Sequence, residues 1–197
     1  MAEETGMIGA LGDWVLRESC RALPALRGAG GDGFTLSVNL SAEQFAAGNL
    51  AERVRRILRE TGTSPHDLAV EITESALLRR LDAAAHVLRE LRACGVRVYI
   101  DDFGTGYSSL AYLHRLPLDA IKVDRTFVDG VRDEPWSRQL VSSVVAMAAS
   151  LGVRVIAEGV SDPAQRDVLR ELGCGYAQGF LFSRPIPAEA LCGWLRR

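Results

Sequence analysis

The sequence predicts an α/β protein, a (βα)-barrel of the TIM type that is incomplete, with about six of the eight strands present. Three observations predict this fold: strand and helix patterns alternate six times, several strands carry aliphatic residues in one phase, and every strand has a polar residue near its carboxyl end. Helices between successive strands imply parallel pairing. A doubly wound open sheet is the alternative, but its site normally gathers at one switch point rather than drawing on all strands.

The first elements are a helix and then a strand–helix unit. Four apolar residues of the first helix are spaced to bury one face: Trp14, Val15, Cys20 and Leu23. The glycine-rich segment Gly28–Gly33 ends this helix. A strand is predicted at Phe34–Leu40, because apolar and polar residues alternate there. The next helix begins at Ser41, which forms a capping box with Gln44.

The remaining elements alternate in the same way. Five further strands are predicted, at Leu68–Thr73, Val96–Asp101, Ala120–Asp124, Val153–Glu158 and Tyr176–Leu181. A helix follows each of them, including a short one from Ser108 to Leu116 and a long one over Pro135–Leu151. A complete eight-stranded barrel typically has about 250 residues, so a chain of 197 residues accounts for only part of one.

Composition limits the function classes. The chain is 48% hydrophobic and 24% charged, with a net charge of −2, so a binder of nucleic-acid polymers or of anionic membranes is disfavoured. The sequence contains no apolar run of the roughly 20 residues that a membrane helix needs. The four cysteines have no metal-ligand spacing and are interpreted as reduced core thiols, which predicts a cytoplasmic protein. The length of 197 residues predicts a single domain over residues 1–197.

The pair Asp101-Asp102 is the feature around which the site is predicted. Two adjacent carboxylates at a strand end repel each other unless a cation lies between them. A solvated turn before Gly104 is the alternative, but Asn39, Glu71 and Glu158 lie near the ends of other predicted strands. Ligands that are all oxygen suit Mg²⁺ or Mn²⁺, with Ca²⁺ as a non-productive occupant. Adjacent carboxylates can also serve two metals in phosphoryl displacement.

Other polar residues have both structural and functional interpretations. Lys122 shares a strand phase with Asp124 and would either form an ion pair or hold an attacking water. Gln178 would be a buried amide or a ligand contact, and Glu74 an N-terminal helix charge. Two enzyme classes stay open from the residues alone. They are metal-dependent phosphoester hydrolysis, which a lysine beside the carboxylate pair favours, and glycoside hydrolysis by Glu71 and Glu158.

Six motifs, in the same order, resemble the EAL-domain cyclic-di-GMP phosphodiesterases. They are Ser37-Val38-Asn39-Leu40-Ser41, Glu71-Ile72-Thr73-Glu74-Ser75, Asp101 to Leu110, Lys122-Val123-Asp124-Arg125, Ala157-Glu158-Gly159-Val160 and Gln178-Gly179-Phe180. The motifs cover nearly the whole chain, and the long block that begins at Asp101-Asp102-Phe103-Gly104 is specific.

The resemblance implies a barrel enzyme that hydrolyses cyclic di-GMP to linear pGpG with Mg²⁺ or Mn²⁺. It implies these metal ligands: Asn39, Glu71, Asp101, Asp102 and Asp124. It implies catalytic roles for Lys122 near the water nucleophile, for Glu158, and for Glu74 as the glutamate that steadies the loop after Asp101. Gln178 is implied at the substrate. Members of the family commonly dimerise, and often carry upstream sensory or GGDEF-type domains.

One departure from the family pattern is large. The family's Glu-Ala-Leu strand motif, which supplies a first-metal glutamate, would precede the segment Ala2–Ile8, and no such motif stands there. We therefore expect an EAL domain truncated at its N-terminus. The alternative function is a catalytically inactive module that binds cyclic di-GMP or another protein.

Overall fold

The computed structural model describes residues 7–31, 33–46, 48–79, 81–105 and 110–196. The strands are β1 (Leu36–Asn39), β2 (Leu68–Thr73), β3 (Arg97–Phe103), β4 (Ala120–Val123), β5 (Arg154–Ala157) and β6 (Tyr176–Ala177). The helices are α1 (Ile8–Gly30), α2 (Ala42–Ala46), α3 (Leu50–Thr61), α4 (Glu74–Leu78), α5 (Leu81–Ala93), α6 (Arg125–Asp129), α7 (Pro135–Leu151), α8 (Pro163–Glu171) and α9 (Ala188–Leu195). Two 3-10 helices lie at Pro65–Asp67 and Leu110–Arg115.

The chain divides into two compact units. The first holds the residues up to Ile72, the segment Ala76–Val98 and the residues from Ile186 onward. The second holds Thr73–Ser75 and Tyr99–Pro185. The strand pairs described within each unit are parallel, as the alternation of strands and helices predicts.

In the first unit, α1 packs against α3 and α9. The buried residues of α1 are Leu16, Cys20, Leu23 and Leu26. The predicted buried face of α1 was therefore wrong at its N-terminal end. Trp14 is 58% exposed, and Leu16 is buried instead. Arg53 links α3 to α1 by hydrogen bonds. Its guanidinium donates to Asp13 Oδ1 at 2.5 Å and to the carbonyl of Gly9 at 2.8 Å.

The helical region after β1 is divided in two. Ser41 and Gln44 form the predicted capping box, since the backbone N–H of each donates to the side-chain oxygen of the other, at 3.0 and 3.3 Å. The helix they begin ends at Ala46, and α3 starts only at Leu50. Asn49 precedes α3 in the left-handed conformation, with φ of 50°, a backbone geometry that a continuous helix cannot contain.

In the second unit, β3, β4, β5 and β6 pair in parallel in the order of the sequence. The helix α7 contacts β5 and α6. The prediction of a six-residue strand at Tyr176–Leu181 was wrong in length, because β6 covers Tyr176–Ala177 only. After Gln178 the chain turns, with Phe182 N–H donating to the carbonyl of Gly179 at 3.0 Å.

No helix in the described part of the chain is long and apolar enough to cross a membrane. The four cysteines are free thiols. Cys20 and Cys174 are buried, as interpreted, whereas Cys94 and Cys192 are half-buried.

Alkaline pH is expected to destabilise both units. Burial raises the pKa of Cys20 in the first unit and of Cys174 in the second above the ordinary value of 9.0. A group whose pKa is raised on folding contributes stability below its unfolded pKa and loses it as pH rises through its folded pKa. We expect the free energy of unfolding, measured by urea denaturation, to fall as the pH rises above 9.0, the ordinary pKa of the thiol. The double variant Cys20→Ala/Cys174→Ala should show a flatter dependence; an unchanged slope would contradict the assignment.

Candidate functional site

A β-bulge at the end of β3 brings the carboxylates of the adjacent residues Asp101 and Asp102 close together. Successive side chains of a strand normally point to opposite faces. Between the pairs Ile100↔Ile121 and Phe103↔Val123 the register shifts, so β3 contains one residue more than β4. Asp102 also has a positive φ of 54°. As a result, carboxylate oxygens of Asp101, Asp102 and Glu158 all lie within 4.8 Å of one another.

Lys122 of β4 lies among these carboxylates. Its ammonium group is 2.9 Å from Asp101 Oδ1 and 2.7 Å from Glu158 Oε1, and the residue is 4% exposed. Gln178 donates through Nε2 to the same Glu158 oxygen at 2.5 Å. Four of the residues predicted from sequence are thus in contact within the second unit, each at or near the carboxyl end of a strand.

The donor set suits a hard divalent cation. Three carboxylates converge, and this cluster of acidic residues includes no histidine or cysteine among the described residues. Oxygen ligands of this kind are those of Mg²⁺, Mn²⁺ and Ca²⁺, whereas a structural zinc site uses sulfur and nitrogen. The cluster therefore fits a cation such as the predicted Mg²⁺ or Mn²⁺.

Asp124 has a local structural task. It is the N-cap of α6, where its Oδ1 accepts from the backbone N–H of Thr126 at 2.9 Å and from the Thr126 hydroxyl at 2.6 Å. A capping carboxylate of this kind stabilises a helix start. Its predicted role as a metal ligand stays a prediction.

Glu74 begins α4 directly after β2 and is fully buried. Its Oε2 accepts from the backbone N–H of Gly104 at 3.0 Å, and its Oε1 accepts from the Tyr112 hydroxyl at 2.9 Å. The predicted contact between Glu74 and the segment after Asp101 is present at Gly104. Residues 106–109 of that segment lie outside the described part of the chain.

Asn39 and Glu71 belong to the first unit and are paired there. They are the last matched residues of the parallel strands β1 and β2, and the N–H of Leu40 donates to the Glu71 carbonyl at 2.8 Å. Glu71 is buried and Asn39 is exposed. Asn39 is the last residue of β1, and Glu71 lies two residues before the end of β2, so both are near strand ends, as the sequence predicts.

A cleft of about 490 Å³ in the second unit borders Glu158 and Gln178. Its other walls include Arg125, Phe180 and Arg184. The Arg184 guanidinium lies over the Phe180 ring, 4.6 Å from its centroid. Two cations and an aromatic ring beside the carboxylate cluster form a surface suited to an anionic ligand with a flat base.

Residues 1–185 match the EAL domain family. The chain belongs to this family. Its relatives include the cyclic di-GMP phosphodiesterase NbdA of Pseudomonas aeruginosa, which is 45% identical over 196 residues that cover 100% of this chain and 25% of NbdA. The cyclic di-GMP phosphodiesterase PdeR of Escherichia coli is 39% identical, over 100% of this chain and 30% of PdeR. The EAL-family chain therefore spans less than a third of either relative's length.

Solved structures confirm the predicted fold class. The structure of PaMucR phosphodiesterase in complex with c-di-GMP is similar with a TM-score of 0.91 and 44% identity, over 96% of this chain and 77% of that one. The six parallel strands and their helices thus form the TIM-barrel-like α/β fold of EAL domains.

The letters Glu-Ala-Leu do occur in this EAL-family chain, at Glu189-Ala190-Leu191. They lie in helix α9 of the first unit, and all three residues are at least partly exposed. The family motif predicted from the resemblance is a strand motif, so this tripeptide does not supply it.

Two residues at this EAL site were not predicted from sequence. Tyr112 contacts Glu74, and Phe127 of α6 lies against Gly104 so closely that a Cβ there would be 2.8 Å from the ring. Gly104 also has a φ of +100°, a conformation that glycine adopts readily. Neither residue carries a charge, and each touches the site through another residue. No sequence motif for metal or phosphate chemistry marks them.

Proposed function

We propose that this EAL domain hydrolyses cyclic di-GMP to linear pGpG in a reaction that requires Mg²⁺ or Mn²⁺. The observation that carries the proposal is the contact of Lys122 with Asp101 and Glu158 beside the Asp102 carboxylate. The names of the relatives support it, because both are cyclic di-GMP phosphodiesterases. The glycosidase alternative gains no support from the names of these relatives.

The reaction adds one water across a P–O ester bond and opens the cyclic dinucleotide. Asp101, Asp102 and Glu158 would hold the metal, with Asn39, Glu71 and Asp124 as further ligands by resemblance. A bound divalent ion polarises phosphate oxygens and lowers the pKa of a coordinated water. Lys122 is placed to position the attacking water and to stabilise negative charge that develops on the phosphate.

The cleft beside the cluster would hold the rest of the substrate. Gln178 orients Glu158 through its 2.5 Å hydrogen bond and also lines the cleft. Arg125 and Arg184 offer charge for a phosphate, and the Phe180 ring offers a face for a base. A ligand with two phosphates and two purines uses both kinds of contact.

Hydrolysis and binding are to be measured on the same preparation. We expect pGpG to form from cyclic di-GMP when Mn²⁺ or Mg²⁺ is present, and we expect its formation to stop when EDTA is added. Chromatography of the reaction mixture measures the pGpG. Calorimetry with cyclic di-GMP in Ca²⁺ separates binding from turnover. Binding without pGpG in any metal would instead favour the inactive binding module. Neither binding nor turnover would refute both functions for these 197 residues.

The predicted context of the domain is also a proposal. We infer that residues 1–197 are one EAL domain that works beside sensory or GGDEF-type domains in a longer cytoplasmic protein and forms a homodimer. The much greater length of the relatives supports the first part. Sedimentation of the purified chain tests the dimer.

A further inference from the structure

One buried carboxylate joins two parts of the second unit that flank the segment after β3. Glu74 uses one oxygen for the N–H of Gly104 and the other for the hydroxyl of Tyr112, at 3.0 and 2.9 Å. Gly104 directly follows β3, and Tyr112 lies in the 3-10 helix Leu110–Arg115. A buried carboxylate is costly unless donors satisfy it, so each contact stabilises the position of the other.

Tyr112 is suited to this task as a permanent donor. It is 5% exposed, and burial together with the Glu74 charge raises the pKa of its phenol. The hydroxyl therefore stays protonated at neutral pH and donates a hydrogen bond to the carboxylate. Hydrogen bonds to an ionised acceptor are stronger than those between neutral groups.

Through Gly104, Glu74 is connected to the carboxylate pair Asp101 and Asp102 at the end of β3. The Gly104 N–H donates to Glu74, and the Phe127 ring lies so near that it leaves no room for a Cβ at Gly104. Gly104 is two residues from Asp102, whose positive φ and place in the β-bulge set where its carboxylate lies. A loosened Gly104 would therefore loosen the bulge.

We propose that Tyr112 is a positioning residue for the metal cluster, acting through Glu74 and Gly104 on Asp102. The proposal rests on the proposed metal-dependent function. Residues that orient metal ligands typically contribute about 10- to 100-fold in metal affinity or activity. Tyr112 would do so without touching metal or substrate.

The test is Tyr112→Phe, which removes one hydroxyl and keeps the ring. We expect Mn²⁺ affinity, measured by calorimetry without cyclic di-GMP, to fall about tenfold. The Mn²⁺ concentration for half-maximal hydrolysis should rise by the same factor, while kcat at saturating Mn²⁺ recovers. The control Tyr176→Phe removes a hydroxyl from a half-exposed ring of the same unit and should change neither value. A lower melting temperature with unchanged Mn²⁺ affinity would overturn the proposal.

A second variant tests the route of action. Glu74→Gln should weaken Mn²⁺ binding, and the double variant with Tyr112→Phe should lose less than the sum of the two single losses, because both act through one contact. Additive losses would contradict the route. Hydrogen exchange at the Gly104 amide should be faster in both single variants, and this readout needs no metal. If the wild type binds no Mn²⁺, the proposed function fails, whereas unchanged exchange at Gly104 is what overturns the positioning role.

Discussion

Replacing Asp101 by Asn is expected to lower the rate of pGpG formation at least 100-fold and to weaken Mn²⁺ binding. The change removes the charge but keeps the size of the side chain. Asp101 provides one of three converging carboxylates and also pairs with Lys122 at 2.9 Å. Loss of groups that only orient metal ligands costs about 10- to 100-fold, so loss of a proposed ligand should cost at least the upper figure.

The matched control for this change is Asp167→Asn. Asp167 lies in α8 of the same unit, with its side chain 57% exposed in a surface ion pair with Arg166. Such pairs contribute little to stability, and Asp167 is not part of the carboxylate cluster. We expect this variant to hydrolyse cyclic di-GMP at the wild-type rate. Retention of activity by Asp101→Asn would refute the metal-ligand role, provided that calorimetry shows unchanged Mn²⁺ affinity.

Much of the fold and the identity of the cluster could be predicted from the sequence. Alternation of strands and helices predicts parallel strands, and parallel strands present their carboxyl ends at one edge. That rule places Asp101, Lys122, Glu158 and Gln178 at one edge of the sheet, and the structure brings these four into contact.

The local geometry of the pair could not be predicted. A regular strand would send the side chains of Asp101 and Asp102 to opposite faces. The β-bulge that brings them together depends on the pairing of β3 with β4 and on the left-handed backbone at Asp102. Neither is encoded in the period of apolar residues, because the bulge is one residue long.

Burial in helix α1 shows a second limit. The apolar spacing of Trp14 and Leu16 gives two candidate faces, and a large aromatic residue was assigned to the core. The structure buries Leu16 at 1% exposure and leaves Trp14 58% exposed. The choice is made by what the helix packs on, here α3 and α9, and not by the sequence of α1 itself.

Replacing Gly179 by Ala is expected to have the largest effect on stability. The φ of Gly179 is +153°. An added Cβ would lie 2.2 Å from the carbonyl oxygen of Val160 and 2.4 Å from its nitrogen. Both are backbone atoms, so no side chain can rotate away. Overpacking and an unfavourable backbone conformation each cost about 1–3 kcal/mol. We expect a loss on the order of 3 kcal/mol and a fall of about 10 °C in melting temperature.

The same change should also alter the carboxylate site, because the backbone on either side of Gly179 is hydrogen-bonded to Val160. The N–H of Val160 donates to the Gln178 carbonyl at 3.1 Å, and the N–H of Leu181 donates to the Val160 carbonyl at 3.0 Å. A shift of the backbone at Gly179 that relieves the clash would change the position of Gln178 relative to Glu158.

Gly175→Ala supplies the control for this prediction. Gly175 lies in the same unit, and an added Cβ would meet nothing within 4 Å. Alanine there should leave the melting temperature within a few degrees of the wild type, because no atom must move. If Gly179→Ala unfolds no earlier than Gly175→Ala in the same thermal scan, the close approach of Gly179 to Val160 does not exist in solution. If it unfolds earlier and also hydrolyses cyclic di-GMP more slowly at a temperature where both are folded, the backbone contact stabilises the unit and positions Gln178 together.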